Sequence, residues 1–171
     1  MILHDAFLRS FVFCILGADL DSLPQSILFC CDHNSVRSPM AEALAKKIYG
    51  TGVYLQSAGV VSDLDIDGFA VSVCMELEIE LSRHRSRSFD EMVQWGDDLS
   101  SFDLVVALSP ASQRRAQELT RHAHLEVEYW PILDPTGLGE SRDDRLASYR
   151  QARDQIYARL ISRWGTGIIE D

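Results

Sequence analysis

The stretch Ser26–Gly50, SILFCCDHNSVRSPMAEALAKKIYG, joins an unbroken apolar run to an amphipathic pattern through a handful of polar residues. Residues 26–31 have the composition of a strand buried on both faces. Ala41, Leu44, Ala45 and Ile48 then fall at the i, i+3, i+4, i+7 spacing of one helical stripe. Ser38 stands where an N-cap belongs, Pro39 at the first helical position, Glu42 in the first turn and Gly50 just past the end. A strand ending at residue 31 and a helix starting at about 39 force the backbone between them to curl, which turns several N–H groups toward one point. The constraint is therefore a strand, an anion-sized nest and a helix, in that order.

The same alternation continues along the chain. VYLQSAG (53–59) reads as a second strand, and DGFAVSVCMELEI (67–79) repeats the helical spacing at Ala70, Val73, Cys74 and Leu77. FDLVVALS (102–109) is a third strand, with a helix from Pro110 through about Leu119. LEVEYWPIL (125–133) is a fourth, leading into the loop DPTGLGES, and a final long helix carries Leu146, Tyr149, Ile156, Leu160 and Trp164 on one side. Such alternation predicts a single α/β domain, a parallel sheet with helices on both faces, and a ligand site at the carboxyl ends of its strands.

Charge and cysteine usage narrow the function classes. A net charge of −10 offers no global attraction to nucleic acid or an anionic membrane, so any anion must be held by local geometry. Of the four cysteines, Cys14, Cys30, Cys31 and Cys74, two are neighbours, which favours reduced thiols and a cytoplasmic setting over a disulfide framework. The N-terminal AFLRSFVFCILGA lacks the flanks of a secretion signal, because Asp5 precedes it and Arg9 sits inside it. It is read as an extension that packs on the domain or on a second copy of it in a homodimer.

Within the loop, Asn34 tolerates the left-handed backbone that a curl needs, and Arg37 presents a planar fork to two oxygens of a tetrahedral oxyanion. The expected ligand is phosphate-like, cradled by Asp32, His33, Asn34, Ser35, Val36, Arg37 and Ser38. Cys31 starts the loop, five residues before Arg37, so its sulfur is expected at the floor of the cradle. The amides and Arg37 favour a thiolate there, and the Ser38 hydroxyl can donate to it. Strand alternation sends Cys30 to the opposite face. Asp134, in the turn after the fourth strand, is the candidate proton donor to a leaving oxygen, against the simpler role of an Asp-Pro turn starter. Asp103 lies at the other end of its strand, and Asp32 is expected to point away from the anion.

The run Cys31 to Pro39, with Asp134-Pro135 and with QSAG, SRHRSRSF and FDLVVALS in order, resembles the low-molecular-weight protein tyrosine phosphatases over about residues 26–164. The resemblance implies a four-stranded parallel sheet in a domain spanning 26–165, after an extension (1–25) and before a tail (166–171). It implies a phosphocysteine intermediate on Cys31, Arg37 gripping the phosphoryl oxygens, Ser38 supporting the thiolate, and Asp134 acting as acid and then as base toward water. It implies no metal and no organic cofactor. Asn34 and His84 are implied to brace the loop by hydrogen bonds, although the run Arg83, Arg85 and Arg87 around His84 reads equally as a solvated face.

Two departures bear on activity. The family usually has Gly where His33 stands and a second Cys where Val36 stands, so the loop has no thiol for a protective disulfide. Members active on phosphotyrosine usually place aromatic residues after Asp-Pro and in the loop after SAG, where this chain has Thr136, Gly137 and Leu64. Trp95, Tyr129 and Trp130 are the alternative rings, the last two assigned by strand position to packing. The expected activity is hydrolysis of a phosphomonoester, on a phosphorylated protein or a small molecule, with protein phosphotyrosine first. Arsenate reduction in the same cradle requires a resolving thiol, which must be external because Cys74 lies on an apolar stripe and Cys14 in the extension. A phosphate-binding module without turnover fits less well with Cys31, Arg37 and Asp134 all present.

Overall fold

A computed structural model describes residues 23–167 apart from 122 and 124. Most of the expected extension, with Cys14, and the end of the tail lie outside the described residues. β1 (Ser26–Cys31) is buried along its whole length and pairs in parallel with β2 (Tyr54–Gly59) on one side and β3 (Leu104–Ala107) on the other. β4 (Glu126–Tyr129) adds to β3, giving four parallel strands in the order β2-β1-β3-β4. The chain leaves β1 toward β2 in one direction and crosses back to β3 in the other. A crevice therefore opens beyond the carboxyl end of β1, where open parallel sheets receive ligands.

Five α-helices are present among the described residues: α1 (Arg37–Tyr49), α2 (Gly68–Met75), α3 (Phe89–Gln94), α4 (Pro110–Thr120) and α5 (Arg142–Trp164). The period-2 alternation of β1 divides the interior into two layers. Ile27, Phe29 and Cys31 face a core built with α1, α2 and α5, whereas Leu28 and Cys30 face one built with Phe89, Met92, Phe102 and Ala116. The five apolar positions predicted for the last helix are all buried on α5.

Several boundaries differ from the sequence reading, each for a local reason. α1 begins at Arg37 rather than about 39, its N-cap is Val36, and no side chain caps it. Ser38 is not the cap because its hydroxyl is turned onto the Cys31 sulfur, and Pro39 and Glu42 consequently sit deeper in the helix than expected. Gly50 does end α1, at φ 68. α2 stops at Met75, not 79: the Leu77 and Ile79 amides both fold back onto the Cys74 carbonyl and Glu78 turns left-handed at φ 57. β3 and β4 are shorter than the apolar runs that announce them. As an edge strand, β4 leaves Tyr129 37% exposed instead of packed, while Trp130 is buried as expected. Helix α3 has no strong apolar period; its sequence signal is the Ser88–Glu91 capping box, which forms.

The carboxyl end of α5 is fixed by aromatic packing. Trp164 is fully buried, 5.3 Å from the Trp130 ring and edge-on to Tyr49 at 6.2 Å. Tyr49 holds the same corner through its hydroxyl, which lies 2.9 Å from the Leu160 carbonyl and 3.0 Å from that of Gly165. The Trp164 indole N–H has no partner among the described residues. Replacing Trp164 with Ala is predicted to cost about 3–5 kcal/mol through the cavity left behind. Trp164→Phe should cost well under half of that, because it keeps the ring and removes an unsatisfied donor. Urea denaturation of both variants measures the difference.

Candidate active site

The loop between β1 and α1 is shaped by where its carbonyls go. Those of Cys31 and Asp32 accept from the Val60 and Val61 amides at 3.0 and 2.9 Å, extending the β1–β2 pairing beyond the strands. The Asn34 carbonyl accepts from Ser86 Oγ at 2.7 Å and that of Ser35 from the Asp67 amide at 3.0 Å. With these oxygens bonded to surrounding residues, the amides of residues 33–38 are left without an acceptor among the described residues. A run of free amides at the start of a 13-residue helix is an anion nest. Asn34 makes the curl possible with φ 53, as expected from its tolerance of that region.

The directions of the four hydrogen bonds made by the Asn34 side chain are fixed by its backbone donor. The Arg87 amide, which can only donate, lies 3.0 Å from one side-chain atom of Asn34 and so identifies that atom as Oδ1. His84 Nε2, 3.0 Å from the same oxygen, must therefore carry a proton. Asn34 Nδ2 then donates both hydrogens, to Ser38 Oγ at 2.8 Å and to Ser57 Oγ at 2.9 Å. Ser57 passes its own proton to Glu42 Oε2 at 2.6 Å. Ser38, already accepting from Asn34, has its hydroxyl proton available to Cys31 Sγ at 3.0 Å or to the Ala58 carbonyl at 3.3 Å. Asn34 and Ser38 are fully buried, so this network is shielded from water.

Cys31 is 3% exposed and lies at the carboxyl end of β1, opposite Gly59. Cys30 faces the other layer, where burial pushes its thiol far above the ordinary cysteine range. Alternation thus separates the two neighbours as the sequence reading required. Arg37 closes the loop from the other side with its side chain only 7% exposed. Its Nη2 donates to Asp32 Oδ2 at 3.0 Å and to Asp134 Oδ2 at 3.2 Å, and its Nη1 makes longer contacts to the Leu108 and Ile132 carbonyls. Asp134 is half-exposed, and its other oxygen accepts from the Thr136 amide at 3.0 Å, so the Asp-Pro turn and the approach to Arg37 coexist. Asp32, expected to point away from the anion, turns its carboxylate to the Arg37 guanidinium. Asp103 is at the far end of the sheet, where it accepts from the Gln25 and Ser26 amides.

The remaining positions are also placed. His33 points outward to Asp63, with Nδ1 and Oδ1 2.6 Å apart, and this contact holds the Asp63 carboxyl below its ordinary range. The basic run splits: Arg83 and Arg85 are exposed, while Arg87 bonds the Ser57 carbonyl, Gln56 and Asp97 behind the loop. A hollow beside the loop, bounded by Asp63, Leu64, Asp65, His84 and Arg85 among others, has no Phe, Tyr or Trp in its wall. Glu42, Ser57, Ser86 and Arg87 were not singled out from sequence as site residues. Nor was Gly59, although it is the last residue of the SAG signal. A Cβ there would lie 2.8 Å from the Asn34 amide nitrogen and 2.4 Å from the Val61 carbonyl oxygen.

The comparisons agree with this architecture. Residues 26–163 match the family described as low molecular weight phosphotyrosine protein phosphatase, and the chain belongs to that family. A protein named arsenate reductase from Bacillus subtilis is 31% identical over 141 residues, 82% of this chain and 96% of its own length. The YwlE arginine phosphatase from Geobacillus stearothermophilus superposes with a TM-score of 0.63 at 30% identity, covering 83% of this chain and 91% of that one. The tyrosine phosphatase Wzb from Escherichia coli K30 shares the fold at 20% identity, with a TM-score of 0.61 over 82% of this chain and 99% of Wzb.

Two outcomes follow from the geometry. Gly59→Ala should cost about 1–3 kcal/mol, because the clash is with backbone, and should displace the loop enough to impair anion binding. Thermal melts with and without phosphate test both. The second concerns His84, whose pKa burial lowers from the ordinary 6.5, aided by Arg87 and Lys46 and opposed by Glu42. The unfolded chain then takes up a proton more readily than the folded one, so the stability due to His84 is whole above 6.5 and is lost as pH falls below it. Urea midpoints between about pH 7.5 and 5.5 should fall less steeply in His84→Gln than in the wild type.

Proposed function

We propose that this protein is a cysteine-dependent phosphatase acting on phosphorylated protein, with phosphotyrosine as its first substrate class. One juxtaposition carries the reading: the Cys31 sulfur, bonded by Ser38, opens a loop of free amides that Arg37 closes, and Asp134 reaches the same guanidinium. The substrate's phosphoryl oxygens lie against the amides and Arg37. The Cys31 thiolate attacks phosphorus as the bond to the leaving oxygen breaks, and Asp134 gives that oxygen its proton. Water then attacks the phosphocysteine and yields its proton to the Asp134 carboxylate. Orthophosphate departs and the thiolate is restored, with the Ser38 hydroxyl supporting the sulfur's charge at both ends of the cycle.

The name of the Bacillus subtilis relative favours a second reading, arsenate reduction. That reaction takes two electrons, supplied when the Cys31 sulfur forms a disulfide with a second thiol as arsenic is reduced. Cys30 lies on the opposite layer, and Cys74 is buried in the core with its thiol pushed up to about 11. Hydrolysis needs only water, so it is the preferred reading; with neither Cys30 nor Cys74 placed to serve among the described residues, arsenate reduction is best served by an external thiol.

Turnover of aryl phosphates, a phosphoarginine peptide, and arsenate with glutathione separates these outcomes. Cys31→Ser is expected to lose at least about a thousandfold in aryl phosphate hydrolysis. Asp134→Ala should lose about 10²–10⁴-fold for a poor leaving group and much less for a good one, which scarcely needs a proton. Hydrolysis surviving in Cys31→Ser contradicts the proposal, and arsenite formed without any phosphatase activity replaces it with the second reading.

A further inference from the structure

Asp32 is the second carboxylate on Arg37, and unlike Asp134 it is built into the loop itself. Its Oδ2 accepts from Arg37 Nη2 at 3.0 Å, and its Oδ1 accepts from Ser109 Oγ at 2.6 Å. Ser109 is in turn the N-cap of α4, where its hydroxyl oxygen accepts from the Ser112 amide at 3.2 Å, and Ser112 Oγ bonds the Cys30 carbonyl at 3.1 Å. The carboxylate is thus anchored at the amino end of an 11-residue helix, whose dipole favours negative charge there. Its side chain is 34% exposed, against 7% for Arg37, so the pair stands at the border of the buried loop.

The guanidinium that must grip two phosphoryl oxygens is therefore shared with a fixed negative charge. An oxyanion arriving at the amides of residues 33–38 meets Arg37 Nη2 already engaged, and it meets a like charge on the same side. The repulsion grows with the charge of the anion, since it is twice as large between Asp32 and a dianion as between Asp32 and a monoanion at the same distance. Neither depends on what the phosphoryl group is attached to.

We infer that Asp32 is a positioning residue that competes with the bound dianion for Arg37 and weakens retention of free phosphate, the product of the proposed reaction. The inference rests on the hydrolase reading for its purpose but not for its test. Asp32 orients Arg37 between substrates and lowers the affinity of the loop for a free dianion. A phosphorylated substrate offsets that penalty with contacts made by the rest of its structure, whereas orthophosphate and sulfate have no such contacts. The device limits product inhibition in a site whose amides and guanidinium would otherwise hold phosphate tightly.

The test is anion binding by calorimetry at constant low ionic strength, with sulfate as the dianion and methyl sulfate as the monoanion. Asp32→Asn keeps the shape and the acceptor for Ser109 while removing the charge. It is expected to bind sulfate about fivefold more tightly than the wild type, and methyl sulfate no more than about twofold more tightly. Asp32→Ala should shift the same way, and Asp32→Glu should return toward wild-type affinity. Sulfate affinity that is unchanged or weaker in both Asp32→Asn and Asp32→Ala overturns the inference, as does an equal gain for the two anions. A wild-type protein that binds neither anion instead overturns the proposed function itself.

Discussion

Four hydrogen bonds to one buried amide hold the site together. Asn34 occupies a left-handed position that L-residues avoid, and its side chain simultaneously ties the loop to His84, Arg87, Ser57 and Ser38. These partners come from three segments, the run around His84 and Arg87, β2 and α1, so the curl is fixed from several directions at once. A buried amide with every donor and acceptor used is worth far more than its net contribution to stability suggests, because losing any one partner strands a polar group away from water. The direction of donation matters equally. Since Nδ2 gives its protons to two serines, Ser38 keeps its own hydroxyl proton, within reach of the Cys31 sulfur and the Ala58 carbonyl.

In the proposed function, that arrangement is what would let a chain of net charge −10 hold an anion. The long-range field is unfavourable, and the attraction is concentrated in partial charges on amides that the backbone cannot turn elsewhere, plus one guanidinium. Gly59 permits the close approach, because β2 must pass within contact distance of the loop for Val60 and Val61 to take its carbonyls. The sheet order contributes the crevice, and the capping serine of α4 reaches into it from the β3 side.

Much of this was legible in the sequence, for reasons that are local. Strand alternation assigned Cys30 and Cys31 to opposite layers, and the apolar spacing on α5 named its buried face. The left-handed preference of Asn34 located the curl. What escaped were contacts that sequence spacing does not encode. Glu42 reads as an ordinary helix residue until β2 brings Ser57 against it, and Arg87 reads as part of a charged surface until its amide is found on Asn34. The misplaced N-cap at Ser38 has the same origin: a hydroxyl that would cap a helix in isolation has a better partner in the sulfur across the loop. The partners of the Asp32 carboxylate escaped too, because nothing in the linear sequence shows that Ser109 and Arg37 flank it.

The proposed hydrolysis requires the Cys31 sulfur to lie beneath the bound phosphorus and to become bonded to it. Rapid-quench mass spectrometry of Asp134→Ala mixed with a good-leaving-group aryl phosphate tests this directly, since breakdown of the intermediate is slowed when the base toward water is removed. The prediction is a phosphoryl adduct on the peptide containing Cys31, formed within the first turnover and absent when Cys31 is also replaced. Aryl phosphate turnover with no adduct at Cys31, or an adduct at another residue, would contradict it.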